Sequence, residues 1–209
     1  MKQRIFNLLL LVAMIFGGSA ITMAQSKALQ KDVKNKVKEW KKEGWTMLAS
    51  PATMSYSLTK YRMYLEEDEE NRIGITGIAV GKNPKIGRDN ATMNAISNYA
   101  SRAKAQVVGK MKSIGSNNDS GENSEEIDKF GAAYEMAVNT KIGALVKEHF
   151  AIVRDKGGKK EFLVFLSIDE TMAKKAREAA ALEAKQKSNL DNLSQEVEDF
   201  IGEPVREDE

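Results

Sequence analysis

The segment from Glu161 to Ile168 most constrains how this chain can fold. Extended, it places Phe162, Val164, Leu166 and Ile168 on one face and Leu163 and Phe165 on the other, because successive strand side chains point to opposite sides. A strand that is apolar on both sides needs cover on both sides. Just upstream, His149 to Arg154 alternates Phe150 and Ile152 against Ala151 and Val153. Asp155-Lys156-Gly157-Gly158 lies between the two runs, and glycine accepts the positive φ that tight hairpin turns require. The pattern predicts a β-hairpin in the C-terminal half with both faces at least partly covered.

The cover is readable as helices. Leu29, Val33, Val37 and Trp40 recur at three- and four-residue steps between Lys27 and Glu43, with seven lysines on the other faces, and Gly44 ends that helix. Trp45, Met47 and Ala49 alternate as a short strand would. Ser50-Pro51 reads as N-cap and first helical position of a helix carrying Met54, Leu58, Tyr61 and Leu65 to about Asp68. Arg72 to Val80 is rich in Ile and Val and reads as a strand; Gly74 and Gly77 within it signal a bulge or a close backbone approach. Gly81-Lys82-Asn83-Pro84 closes the strand. Asp89 or Asn90 then caps a helix with Met93, Ile96, Ala100, Ala103, Val107 and Met111 as its stripe, and Ala91, Ala95, Ala100 and Ala103 let it lie close to its neighbours. Gly115 to Ser124 reads as a loop. A second long helix follows with Ile127, Phe130, Tyr134, Ala137 or Val138, and Ile142 or Leu145 inward. After the hairpin, Asp169 caps a helix from Glu170 to about Ile201, which Gly202-Glu203-Pro204 stops, and residues 202–209 are expected to be a disordered acidic tail. The expected fold class is α+β: a small mixed or antiparallel sheet with the hairpin packed against long helices, plus an extended C-terminal helix.

The N-terminus supplies an address. Lys2 and Arg4 precede a nearly unbroken apolar run from Ile5 to Phe16, and Thr22-Met23-Ala24 offers small residues for cleavage. This is the pattern of a secretory signal peptide over residues 1–24, with a run too short to span a membrane. The expected product begins at Gln25 and works in the periplasm, at the outer envelope or outside the cell, with no transmembrane helix. Its α+β domain covers residues 25–169 and the C-terminal helix residues 170–201.

Composition removes several function classes. The leader holds two of the 32 basic residues and none of the 30 acidic ones, so the remaining chain is formally neutral, which argues against nucleic acid as a partner. Cysteine is absent, so the protein has neither disulfides nor a lipid-bearing Cys. With His149 the sole histidine, no His pair or zinc quartet can form, and no cofactor is expected. The plainest reading of His149 is a partly buried strand residue. Gly74 to Lys82 fails as a phosphate loop, because Gly77 and Gly81 enclose three residues and Asn83 follows Lys82. The acidic run Glu66–Glu70 lacks the ligand spacing of a calcium loop and reads as a solvated helix end. Neither it nor Asp128 has the spacing of a hydrolase's paired acids, so the chain is expected not to be an enzyme.

Three surfaces remain as candidates for contact: the Gly115–Ser124 loop side and two helix faces. Leu190, Leu193, Val197 and Phe200 step by three, four and three residues, as a coiled-coil seam does, and would serve self-association or an unknown protein partner; folding back on the chain's own domain is the simpler reading. Lys31, Lys34 and Lys38, with Trp40, could lay the first helix on anionic lipid or polysaccharide as a peripheral envelope contact; packing against the domain is the simpler reading here too.

Ile75-Thr76-Gly77-Ile78-Ala79-Val80-Gly81, the helix bearing Ala91, Ala95, Ala100 and Ala103, and the hairpin strands Phe150–Val153 and Phe162–Ile168 carry a resemblance. Over Arg72 to Ile168 the chain resembles the superfamily of small exported bacterial lipoproteins that includes the N-terminal domain of the flagellar assembly protein T. The resemblance implies an envelope-associated, non-catalytic domain used in assemblies, with no catalytic residues to carry over. The chain departs from it in lacking the lipid-bearing Cys and in adding the C-terminal helix.

Overall fold

The computed structural model describes residues 27–117, 124–188 and 193–206; the leader, most of the Gly115–Ser124 loop, Leu190 and the end of the acidic tail lie outside them. The described elements run α1 (residues 27–42), β1 (Thr46–Met47), α2 (Met54–Glu66), β2 (Arg72–Gly81), α3 (Pro84–Asn117), α4 (Ser124–Gly143), β3 (Lys147–Lys156), β4 (Lys159–Asp169), α5 (Glu170–Ser188) and α6 (Gln195–Ile201). The strands form one antiparallel sheet in the order β1-β3-β4-β2, an α+β architecture. Gly157 and Gly158, with φ of 57° and 76°, make the two-residue turn of the β3–β4 hairpin, the conformation that matches the right-handed twist of the strands.

β4 is central and apolar on both faces. On one face Phe162, Val164, Leu166 and Ile168 join Ile73, Ile75, Ala151 and Val153 in the larger core, which α3, α4, α5 and α6 close. On the other, Phe165 joins Phe150 and Ile152 in a smaller core closed by Val33, Val37 and Trp40 of α1 and Met54, Leu58 and Tyr61 of α2. The Phe150 and Phe165 rings stack across the strands with centroids 4.2 Å apart.

The two β2 glycines serve close approach, since the register of β2 on β4 runs unbroken from Arg72↔Asp169 to Gly81↔Lys160. A Cβ on Gly77 would overlap the Ala91 carbonyl oxygen and fall 2.7 Å from the Ala95 nitrogen; one on Gly74 would fall 2.8 Å from Leu65 Cδ1. Ala91 and Ala95 are fully buried, so α3 lies directly on β2.

Beyond shifts at the strand ends, and a β1 that leaves out Trp45 and Ala49, four boundaries and positions differ from the sequence reading. The second helix starts at Met54 because Thr53 is its N-cap and accepts from Tyr56 N–H; Ser50 instead closes a local turn by accepting from Ala52 N–H at 3.2 Å. The third starts at Pro84, because Asn83 Oδ1 accepts from the Lys85 and Ile86 N–H groups, so the Asn-Pro pair that closes the strand also opens the helix. Met93 is 55% exposed, the large Gly77 contact having turned the helix toward Ala91 and Ala95. The single C-terminal helix is two: α5 ends at Ser188, and Ser194 is extended (φ −65°, ψ 151°) and caps α6 by accepting from Val197 N–H.

The break lets α6 fold back, bringing Val197, Ile201 and Val205 into the larger core. Arg177 of α5, 1% exposed, holds it there. Its guanidinium donates to the Ile201 carbonyl at 3.0 Å, the Gly202 carbonyl at 3.3 Å, Tyr99 Oη at 2.6 Å and Glu170 Oε1 at 2.5 Å. A buried cation is tolerated where its donors are all met and a carboxylate balances it.

Gly77→Ala should lower unfolding stability by about 1–3 kcal/mol, the usual cost of overpacking. Gly109→Ala, on an exposed turn of α3 where a new Cβ meets nothing within 4 Å, should raise it by about 0.5–1 kcal/mol through helix propensity. Urea denaturation of both variants checks the pair.

Candidate functional site

Between α2 and the start of β3 the sheet opens into a cleft of about 500 Å³, lined among others by Ser50, Tyr56, Lys60, Tyr64, Lys147 and His149. Its cause is local. The β3–β4 register shifts between Glu148 and Phe150, so His149 is the extra residue of a β-bulge, a feature that re-aims side chains. The turn Ser50–Thr53 and the cap at Thr53 set where α2 begins, and α2 carries Tyr56, Lys60 and Tyr64 at four-residue steps along the side facing the bulge. Ala49, at φ 49°, bends the chain at the cleft's rim.

The floor is aromatic and rigid. The His149 ring lies 5.0 Å from the Tyr61 ring and 4.7 Å from the Tyr64 ring, and its Nε2 is hydrogen-bonded to Ser167 Oγ at 2.8 Å. Tyr61 Oη donates to the Leu166 carbonyl at 2.9 Å. The Tyr64 ring has the Arg72 guanidinium 4.2 Å and the Lys147 ammonium 4.8 Å from its centroid. Arg88 Nε donates to both Glu148 carboxylate oxygens, at 2.8 and 2.9 Å. Lys60, Lys147 and Arg88 against Glu148 leave the lining positive on a chain whose overall charge is close to balanced.

Burial, then Lys147 and Lys60, push the His149 pKa down to about 4, so the imidazole is neutral at neutral pH. Ser167 is 2% exposed and lies beneath the ring, outside the lining. The His–Ser bond therefore holds the ring in place and presents no hydroxyl to the cleft. What the cleft can do is hold an anion beside the exposed Tyr56 ring.

The residues singled out from the sequence lie elsewhere and do not converge. Lys31, Lys34 and Lys38 are exposed on α1. Trp40 is 5% exposed with its ring 5.4 Å from Phe165; it anchors the smaller core and is not available to dip into a surface. Leu193 is partly buried against the larger core and Val197 is 3% exposed within it. Phe200 is half-buried with the Lys110 ammonium 5.8 Å from its ring. In the acidic run, Glu67 pairs with Arg72 at 2.8 Å and the Asp68 carbonyl accepts from the Asn71 and Arg72 N–H groups, which makes it the α2–β2 turn. Tyr56, Lys60, Tyr64 and Lys147 escaped the sequence reading. Their one signal is the i, i+4, i+8 repeat of Tyr56, Lys60 and Tyr64, a stripe distinct from the apolar one.

No family model, curated protein or solved structure matches the chain.

A histidine whose folded pKa is depressed binds fewer protons than in the unfolded chain, near 6.5, over the interval between the two values. Its contribution is intact above pH 6.5 and is lost as pH falls from about 6.5 to about 4. An NMR titration should give His149 a midpoint near 4, and His149→Gln should flatten the stability loss across that window in urea denaturation.

Proposed function

We propose that this chain is an exported, non-catalytic envelope domain that binds an acidic polysaccharide in the cleft between α2 and β3. The observation that carries the reading is an exposed tyrosine face beside cations: Tyr56 is 61% exposed, Lys60 and Lys147 line the same wall, and the Tyr64 ring beneath is already covered by Arg72 and Lys147. Aromatic faces suit sugar rings and ammonium groups suit their carboxylates. The leader pattern at Met1–Ala24 and the resemblance to small exported envelope lipoproteins support the location. The wet Tyr–Lys wall favours the cleft over the α1 lysine face, whose apolar side chains close the smaller core. Anionic lipid is the poorer ligand for the same reason: the apolar stripe of α1 is packed into the smaller core and is not free to lie on a membrane surface.

Calorimetric titration with oligogalacturonate, using a neutral galacto-oligosaccharide as control, tests the proposal. Binding should be specific for the acidic sugar and weaken with salt. Tyr56→Ala and Lys60→Ala should each weaken it roughly five- to tenfold, whereas Lys31→Ala, Lys34→Ala and Lys38→Ala together should leave it unchanged. Loss confined to the triple lysine variant would return the site to α1, and equal affinity for the neutral sugar would remove the electrostatic basis.

A further inference from the structure

The tyrosine–lysine stripe of α2 has a hollow on each side. One is the cleft against β3. The other is a groove of about 420 Å³ on the surface of α2, lined by Tyr56, Thr59, Lys60, Met63, Tyr64 and Glu67. Tyr56, Lys60 and Tyr64 border both hollows, so a ligand laid across the stripe passes from one into the other. The exposed Tyr56 ring and the exposed Lys60 side chain stand at the crossing.

The two hollows differ in charge. The cleft has the Lys60 and Lys147 ammonium groups, while Arg88 is balanced by Glu148. The groove shares Lys60 with the cleft and ends at Glu67, which is exposed and pairs with Arg72 at 2.8 Å. That pair cancels the charge of Arg72, whose guanidinium also lies over the Tyr64 ring. Glu66, Glu69 and Glu70 are exposed just beyond. The rest of the groove is neutral: Met63, 49% exposed, offers apolar surface, and Thr59 offers a hydroxyl. One carboxylate is therefore matched between Lys60 and Lys147. A second, in the groove, would face Glu67 and the acidic turn with no lining cation beyond Lys60 to balance it. Like charges brought together on a binding surface select against the wrong ligand, as opposite charges select for the right one. A neutral ring meets no such penalty there, and can set its apolar face on Met63 and a hydroxyl on Thr59.

We propose that the ligand of the cleft is a polysaccharide in which acidic and neutral sugars alternate, with an acidic unit at Lys60 and Lys147 and its neutral neighbour across the stripe on Met63 and Thr59. Glu67 is the residue that rejects a uniformly acidic chain. The proposal rests on the cleft being an acidic-polysaccharide site and specifies which acidic polysaccharides it accepts.

Calorimetric titration of the chain from Gln25 to Glu209, which contains every described element, tests it with three hexasaccharides. Hyaluronan and unsulfated chondroitin alternate glucuronate with a neutral N-acetylhexosamine, whereas oligogalacturonate is acidic at every ring. The better alternating sugar should bind roughly five- to tenfold tighter than the galacturonate. Glu67→Gln should tighten the galacturonate and leave the alternating sugar unchanged, so that the preference falls to about threefold or less. Met63→Ala should weaken only the alternating sugar, roughly threefold. Both side chains are exposed, and either variant decides the matter if the other disturbs folding. Galacturonate binding as tightly as both alternating sugars, or a preference that survives both substitutions, would overturn the alternation while leaving the cleft an acidic-sugar site. Absence of binding by all three sugars would overturn the cleft assignment and the alternation together.

Discussion

Everything in this fold is arranged around a strand that cannot leave either face in water. Each large apolar side chain moved from water to a packed interior stabilises by roughly 1.5–3 kcal/mol, and β4 directs Phe162, Val164, Leu166 and Ile168 one way and Phe165 the other. A two-layer domain with one bare sheet face would forgo one of these sets. The chain answers with four helices on one face and two on the other, so β4 has a neighbour strand on each side and a core above and below. The cleft follows from the same constraint. The smaller core is closed by only α1 and α2, and α2 ends its cover where the β3 bulge turns His149 outward from the ladder.

The larger core is closed by small residues as much as by large ones. Gly77 admits α3 to the backbone of β2, and Ala173, Ala176, Ala180, Ala181 and Ala184 give α5 a smooth buried face. Among those alanines Arg177 reaches the C-terminal end of α6 and satisfies carbonyls that the helix end leaves without partners. The ion pair with Glu170 is worth little as an attraction alone, given the cost of desolvating both groups. Its consequence is positional: it fixes where α6 stops and keeps Val197 and Ile201 against the sheet's helical layer.

Much of this was legible from residue order where burial imposes a period. The hairpin, the inward face of α4 and the small-residue stripe that lets α3 approach a neighbour all rest on side chains whose spacing repeats the geometry of their element; that the neighbour is the glycine-bearing β2 is seen only in the fold. Legibility failed where one residue type serves two roles. Asn83-Pro84 ends a strand as readily as it caps a helix, and Ser50-Pro51 is as good a helix start as Thr53, with only the position of α2 on the sheet deciding between them. Helical periodicity runs unbroken through Ser194, because a cap residue is also tolerated inside a polar helix face. The cleft was the least legible part, since a bulge leaves no mark in an alternating pattern and Tyr56, Lys60 and Tyr64 look like an ordinary solvated stripe.

Native-state hydrogen exchange measures the organising role of β4 most directly. Strands held from both faces open only when the whole domain does, whereas elements covered from one side open at lower free energy. The amides of Phe162 to Ile168 should exchange at the limit set by global unfolding, slower than those of α1 and α2. Exchange of β4 ahead of α3 and α4, with the helices staying protected, would contradict the account by showing that the helices hold together without the strand they are taken to cover.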